Sequence, residues 1–223
     1  MKKPTRIILL RHGEVENPGS VFYSQQDVFL SDSGRKQSLA LADRLKDVPF
    51  SMIFSSDLSR CLFLAKAIAG TRGLAVEARS ELREVDFGRW SGLSWEAVEE
   101  RYPGALSERM EKLESYRPPQ GENLVEVALR VWRVIDEILK KCKEEAVAIV
   151  GHGGVNRVLI AKAMGLPLNN IFSLEQDFAC INILNFYPDG PVTLRLLNWS
   201  ADTGKPPWGI QLGNHSSTLA GNE

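Results

Sequence analysis

Short apolar runs alternating with helical patterns set out the framework of this chain. Ile7-Ile8-Leu9-Leu10 is an unbroken apolar run led by β-branched residues and closed by Arg11-His12-Gly13, which predicts a strand buried on both faces. Residues 14–30 have no helical period and contain Pro18 and Gly19, so a loop is expected. Ser31 is a suitable N-cap for a helix with Leu39, Ala42 and Leu45 as its apolar stripe and Pro49 at its exit. Met52-Ile53-Phe54 predicts a second strand, ending at Ser55-Ser56, with a helix from about Leu58 to Ala69 that Gly70 stops. Leu74 to Glu77 predicts a third strand, Glu81 to Gly92 a loop, and Ser94 to Tyr102 a helix closed by Pro103-Gly104. Asn123 to Lys143 is the most regular helix, with Val127, Val131, Val134, Ile135 and Ile138 on one face. Ala146 to Val150 predicts another buried strand, ending at Gly151-His152-Gly153-Gly154, and Val155 to Met164 the helix that follows. Ile181 to Tyr187 and Val192 to Leu197 flank Pro188-Asp189-Gly190 and predict a hairpin.

Strands alternating with helices imply an α/β fold: a three-layer sandwich with a largely parallel central sheet and helices on both faces. No repeat or linker divides the chain, so residues 1–200 are expected to form one domain. Residues 201–223, rich in Gly, Pro, Asn and Ser, are expected to form an irregular tail, with Trp199 or Trp208 packed down.

Composition narrows the class without naming a function. The 223 residues are 43% hydrophobic and 25% charged, as in an ordinary soluble globular protein, and suffice for a sizeable core. A formal net charge of −1 argues against a nucleic-acid partner, which would need a basic face. The three cysteines, Cys61, Cys142 and Cys180, are far apart and odd in number, so buried reduced thiols are expected rather than a disulfide framework. A reactive Cys61 beside Arg60 is the alternative. The run Ile7–Leu10 is too short for a secretory core or a membrane span, which implies a cytoplasmic protein with no membrane partner.

The chemistry gathers where strands end. Arg11-His12-Gly13-Glu14, then Ser55-Ser56-Asp57 with Arg60, then His152-Gly153-Gly154 follow three predicted strands, and open α/β sheets bind ligands at the carboxyl ends of their strands. One rim would then hold two arginines and two histidines. That set suits a dianionic phosphoryl group, because the guanidinium fork matches phosphate oxygens in pairs and stays charged at working pH.

These pieces, in order, resemble the histidine phosphatase superfamily, also called phosphoglycerate-mutase-like, over about residues 5–198. The motifs are Leu10–Glu14, Leu30 through Gly34 to Gln37, Ser55–Arg60, Leu82–Gly88, Gly121-Glu122 and Gly151–Gly154. The resemblance implies that His12 is the nucleophile, forming a phosphohistidine, and that nearby cations lower its pKa and keep it neutral. It implies that Arg11, Arg60 and His152 stabilise charge on the phosphoryl oxygens. Asn17 would add an amide donor, and Gly153 belongs to the same binding set. Glu84 matches the position of the general acid, with Glu14, Glu81 and Asp86 as rivals. Tyr23, Ser24 and Gln25 lie where the organic part of the substrate is expected. The family often carries glycine in the Tyr23–Gln25 segment where this chain has Ser24, and a threonine where it has Leu64. His215 matches no motif.

The expected partner is a small phosphorylated metabolite; a homodimer is left open. No cofactor is expected and no metal, since the chain has neither His-Glu-x-x-His nor Asp-x-Asp. The run Glu84-Val85-Asp86-Phe87-Gly88 and the short stretch from Gly104 to Gly121 favour hydrolysis over mutase-type transfer, and over a non-catalytic phospho-ligand binder. The Val21-Phe22-Tyr23 loop and Glu84–Trp90 are most similar to small bacterial phosphatases, including α-ribazole-5′-phosphate phosphatases. Residues 105–120 are either a lid or a solvated helix face. As a lid they would set Tyr116 against the substrate and Arg109 or Arg117 against a second negative charge.

Overall fold

The computed structural model describes residues 3–200, apart from Ser20 and Thr71; the 201–223 tail, with Trp208 and His215, lies outside the described residues. Among the described residues six strands run in chain order: β1 (Thr5–Arg11), β2 (Phe50–Ser56), β3 (Val76–Arg79), β4 (Ala146–Gly151), β5 (Cys180–Phe186) and β6 (Val192–Ser200). Six helices accompany them: α1 (Asp32–Arg44), α2 (Ser59–Ala69), α3 (Trp95–Arg101), α4 (Ala105–Glu111), α5 (Leu124–Lys141) and α6 (Gly153–Met164). The sheet order is β3-β2-β4-β1-β5-β6. The pairs β3–β2, β2–β4 and β4–β1 are parallel, and β5 and β6 close one edge as an antiparallel hairpin.

The three expected layers follow from strand alternation. On β1, Ile7 and Leu9 enter one apolar cluster with α5 and α6, while Ile8 and Leu10 enter another with α1 and α2. On β4, Val147 and Ile149 join the first and Ala148 and Val150 the second. A strand covered on both faces needs an unbroken apolar run, and these two have one. Because β4 inserts between β1 and β2, the carboxyl ends of three neighbouring strands open onto one rim.

Several local expectations shift. Ser31 caps α1 as expected, its hydroxyl accepting from the Gly34 N–H at 3.0 Å. Leu39, however, is 54% exposed, whereas Leu41 and Leu45 are fully buried. Spacing by threes slips about 60° round a helix at each step, so the buried stripe runs through Ser38, Leu41 and Leu45. The third strand lies two residues beyond the expected start, pairing Ile53 with Val76 through Ser56 with Arg79. The 81–92 loop contains two short 3₁₀ turns, Ser80–Leu82 and Gly88–Trp90, and a further one spans Leu168–Ser173. Residues 105–120 begin as α4, and Tyr116 packs on the buried Trp90, ring centroids 5.6 Å apart. Trp199 is buried against the α1/α2 side of the sheet.

Candidate active site

At the end of β1 the chain turns His12 into the interior. Its ring is 5% exposed, and Nδ1 lies 2.7 Å from the Gly13 carbonyl oxygen. A carbonyl only accepts, so Nδ1 carries the proton and Nε2 keeps its lone pair. Burial, reinforced by Arg11 and Arg60, holds the His12 pKa well below the ordinary 6.5. His152, at the end of β4, is fully buried edge-on to His12, with ring centroids 5.1 Å apart. Burial first, then Arg60 and His12, lower its pKa in the same way. The Ser56 Oγ lies 2.9 Å from His152 Nε2 and ties β2 to β4 behind the site.

Two arginines converge on this pair. Arg60, in the first turn of α2, is 3% exposed and donates to the carbonyls of Gln26 at 2.7 Å and Ser24 at 3.1 Å. Arg11 donates to the Gln176 carbonyl, lies 3.9 Å over the Phe178 ring, and keeps a buried Nε without a hydrogen-bond partner among the described residues. Desolvation lowers its pKa, although Glu84 opposes the shift. Cys61 sits 3.4 Å from His152 Nε2, and burial pushes its pKa up despite Arg60, so the protonated, inert thiol prevails over a reactive one.

Glu84 arrives from the loop after the first 3₁₀ turn. Its carboxylate accepts the first free N–H groups of α6, Gly154 at 3.1 Å and Val155 at 3.1 Å, and its own neighbour Val85 at 2.9 Å. The unpaired N–H groups and positive end of the helix hold the carboxylate in place. A methyl group at Gly154 would lie 2.6 Å from Glu84 Oε1 and 2.9 Å from Val85 Cγ2, so glycine leaves room for the carboxylate in this position. The three rivals stand elsewhere: Glu84 lines the cavity, while Glu14 accepts from Ser31, Asp86 accepts from Gly88, and Glu81 is not in the cavity wall.

The cavity measures about 280 Å³ and brings together Arg11, His12, Arg60 and Glu84. Tyr23 and Ser24 line it. Ser24 has φ +56°, a left-handed backbone that explains why glycine fits this position. Its hydroxyl turns to residues 85–87, accepting the Phe87 N–H at 2.9 Å. Gln25 reaches the Glu84 carbonyl at 3.1 Å rather than the cavity. Asn17 sits on the exposed loop outside the cavity wall, its carbonyl accepting the Tyr23 hydroxyl at 2.6 Å. Gly153 lets Arg11 approach α6: a methyl group there would meet Arg11 Cζ at 3.3 Å. Arg109 lines the cavity, whereas Arg117 pairs with Glu126 on the surface. Sequence reasoning missed Arg157, Phe172 and Phe178, all in the wall. Arg157 had a signal: it follows Gly153 by four residues on α6, hence on the same face.

A buried neutral histidine between two guanidiniums, facing a carboxyl held at a helix N-terminus, defines a phosphoryl-handling site. Residues 7–199 match the histidine phosphatase superfamily (branch 1), and the chain belongs to that family. It is a histidine phosphatase. Phosphoserine phosphatase 1 of Hydrogenobacter thermophilus is 31% identical over 192 residues, 86% of this chain and 91% of that protein. The structure of a mycobacterial glucosyl-3-phosphoglycerate phosphatase superposes with a TM-score of 0.82 at 30% identity, covering 89% of this chain and all of that one. The α-ribazole phosphatase of Shigella flexneri gives 0.80 at 27% identity, over 87% and 96% of the two chains.

Proposed function

We propose that the protein hydrolyses small phosphomonoesters in two steps through a phosphohistidine on His12, without a metal ion. The observation that carries this reading is the locked ring of His12, whose Nδ1–H is held by Gly13 and whose Nε2 is left free. In the first step Nε2 attacks phosphorus and the ester P–O bond breaks, with Glu84 giving a proton to the leaving oxygen. In the second step water attacks, Glu84 takes its proton, and the P–N bond breaks to release phosphate and neutral His12. Arg11 and Arg60 neutralise charge on the equatorial oxygens, and the neutral His152 donates a hydrogen bond to one of them. The unpartnered Nε of Arg11 is a donor that a phosphoryl oxygen would satisfy.

The relatives point to phosphorylated metabolites: phosphoserine, glucosyl-3-phosphoglycerate and α-ribazole appear in their names. A metabolite of that size suits the cavity and a place in the cytoplasm, where the three free cysteines would stay reduced. Hydrolysis is favoured over mutase transfer because only one short helix, α4, stands between Gly104 and Gly121, leaving little chain to seal the site from water. The test is phosphate release from a panel of monoesters, 2- and 3-phosphoglycerate included, after exhaustive chelation. Full activity with EDTA and inhibition by vanadate, which imitates the transition state, are expected. A strict Mg²⁺ requirement, or phosphoglycerate isomerised without phosphate release, would refute the reading.

A further inference from the structure

Beyond the phosphate clamp, the cavity wall holds two more guanidiniums. Arg109, on α4, is 7% exposed and lies over the rings of Phe87 at 5.2 Å and Phe172 at 5.8 Å. Among the described residues its guanidinium has neither a hydrogen bond nor a carboxylate partner. A buried cation without a counter-ion is unfavourable, and aromatic faces compensate only in part. An anion entering the cavity would supply what is missing.

Arg157 reaches the same place from α6. Its Nε donates to the Leu174 carbonyl at 2.7 Å, which fixes the guanidinium, and its Cζ lies 5.9 Å from the centre of the same Phe172 ring. It forms no ion pair with Glu84, Glu175 or Asp177, whose charges it feels. Towards the clamp, Arg157 Nη1 and Arg11 Cζ stand 3.2 and 3.3 Å from the one point that a Gly153 side chain would occupy. The basic wall is therefore continuous from the clamp through Arg157 and past Phe172 to Arg109.

We propose that Arg109 and Arg157 form a second oxyanion subsite, so that the preferred substrates are small phosphomonoesters bearing a second anionic group, carboxylate or phosphate, a few atoms from the scissile ester. This rests on the phosphatase reading above. The proximity of Arg157 to Arg11 sets the short spacing, and a cavity of about 280 Å³ limits the size. Planar guanidinium forks suit either oxyanion.

The test compares three esters with a common three-carbon frame: glycerol 3-phosphate, 3-phosphoglycerate and glycerol 1,3-bisphosphate. At least one of the doubly anionic esters should exceed glycerol 3-phosphate at least tenfold in kcat/KM, and which one does so identifies the second anion. Arg109→Gln and Arg157→Gln should each shrink that ratio at least fivefold, mainly through KM, while Arg109→Lys should retain part of it. A wild-type ratio near one, or an Arg109→Gln loss equal on all three esters, would overturn the subsite. Absence of turnover on these esters and on para-nitrophenyl phosphate would instead remove the phosphatase reading, and the subsite with it.

Discussion

At the scale of single residues, the site depends on close approaches that tolerate no extra atoms. Gly154 is the sharpest case, because an added methyl group would displace the Glu84 carboxylate from the start of α6. Gly154→Ala should lower kcat/KM for alkyl phosphates at least tenfold, part of the about 10² to 10⁴ that complete loss of general acid catalysis costs. Hydrolysis of para-nitrophenyl phosphate, whose leaving group needs no proton, should fall much less. Steady-state rates on the two esters check this; equal losses would mean that Gly154 supports the clamp and not the acid. Ser24 illustrates a different dependence. Its carbonyl holds Arg60 and its hydroxyl holds the loop behind Glu84. Ser24→Gly relaxes a left-handed backbone but leaves the Phe87 N–H without its partner, a cost of about 1–3 kcal/mol. Activity should therefore drop on every ester together; a change confined to substrate ranking would place the hydroxyl against the organic group instead.

At the scale of elements, the loop carrying Glu84 is fastened from behind by α5. Arg130 donates to the carbonyls of Glu81 at 2.5 Å and Glu84 at 3.1 Å and grips both oxygens of Glu122, which in turn accepts the Asp86 N–H at 2.8 Å. Arg130 and Glu122 are each 16% exposed. Arg130→Met should therefore destabilise the protein by about 1–3 kcal/mol by leaving a part-buried carboxylate and two loop carbonyls without their donor. Adding Glu122→Leu should recover part of the loss. Urea denaturation measures both, and a single-variant loss under about 1 kcal/mol would show that solvent reaches the pair. Elements such as these differ in how far the sequence declares them. β1, β2 and β4 were legible because burial on both faces demands apolar runs, and their polar ends announced Arg11, His12, Arg60 and His152. Helix phase was harder to read: Leu39 fits a stripe by spacing yet faces solvent. The far wall was hardest. Arg109 and Arg117 share one stretch, and it is α4, ending at Glu111, that carries Arg109 to the wall while Arg117 lies beyond the helix. Phe172 and Phe178 come from a 3₁₀ turn and a loop, which carry no periodicity to betray a buried face.

At the scale of the whole molecule, two neutral, buried histidines at strand ends link stability to pH. His12 and His152 both have pKa values well below 6.5 in the folded protein, burial being the largest cause for each. Below about pH 6.5 the unfolded chain binds protons that the folded one refuses. Stability should therefore fall as pH drops from about 7 towards 5, by up to about 2.7 kcal/mol per pH unit from the pair, and these two groups should add no slope above about pH 7.5. Thermal melts across that range check the sign, and His12→Asn should flatten the slope. Wild-type stability that is unchanged from pH 7 to 5 would place the histidines in contact with water. The chemistry attributed to the same buried pair is tested most directly by rapid quench of the enzyme with a ³²P-labelled ester. The account predicts a transient phosphoenzyme, labile in acid and stable in base, with the label on His12 and lost in His12→Asn. Label on a serine, aspartate or cysteine, or turnover that survives the substitution, would contradict it.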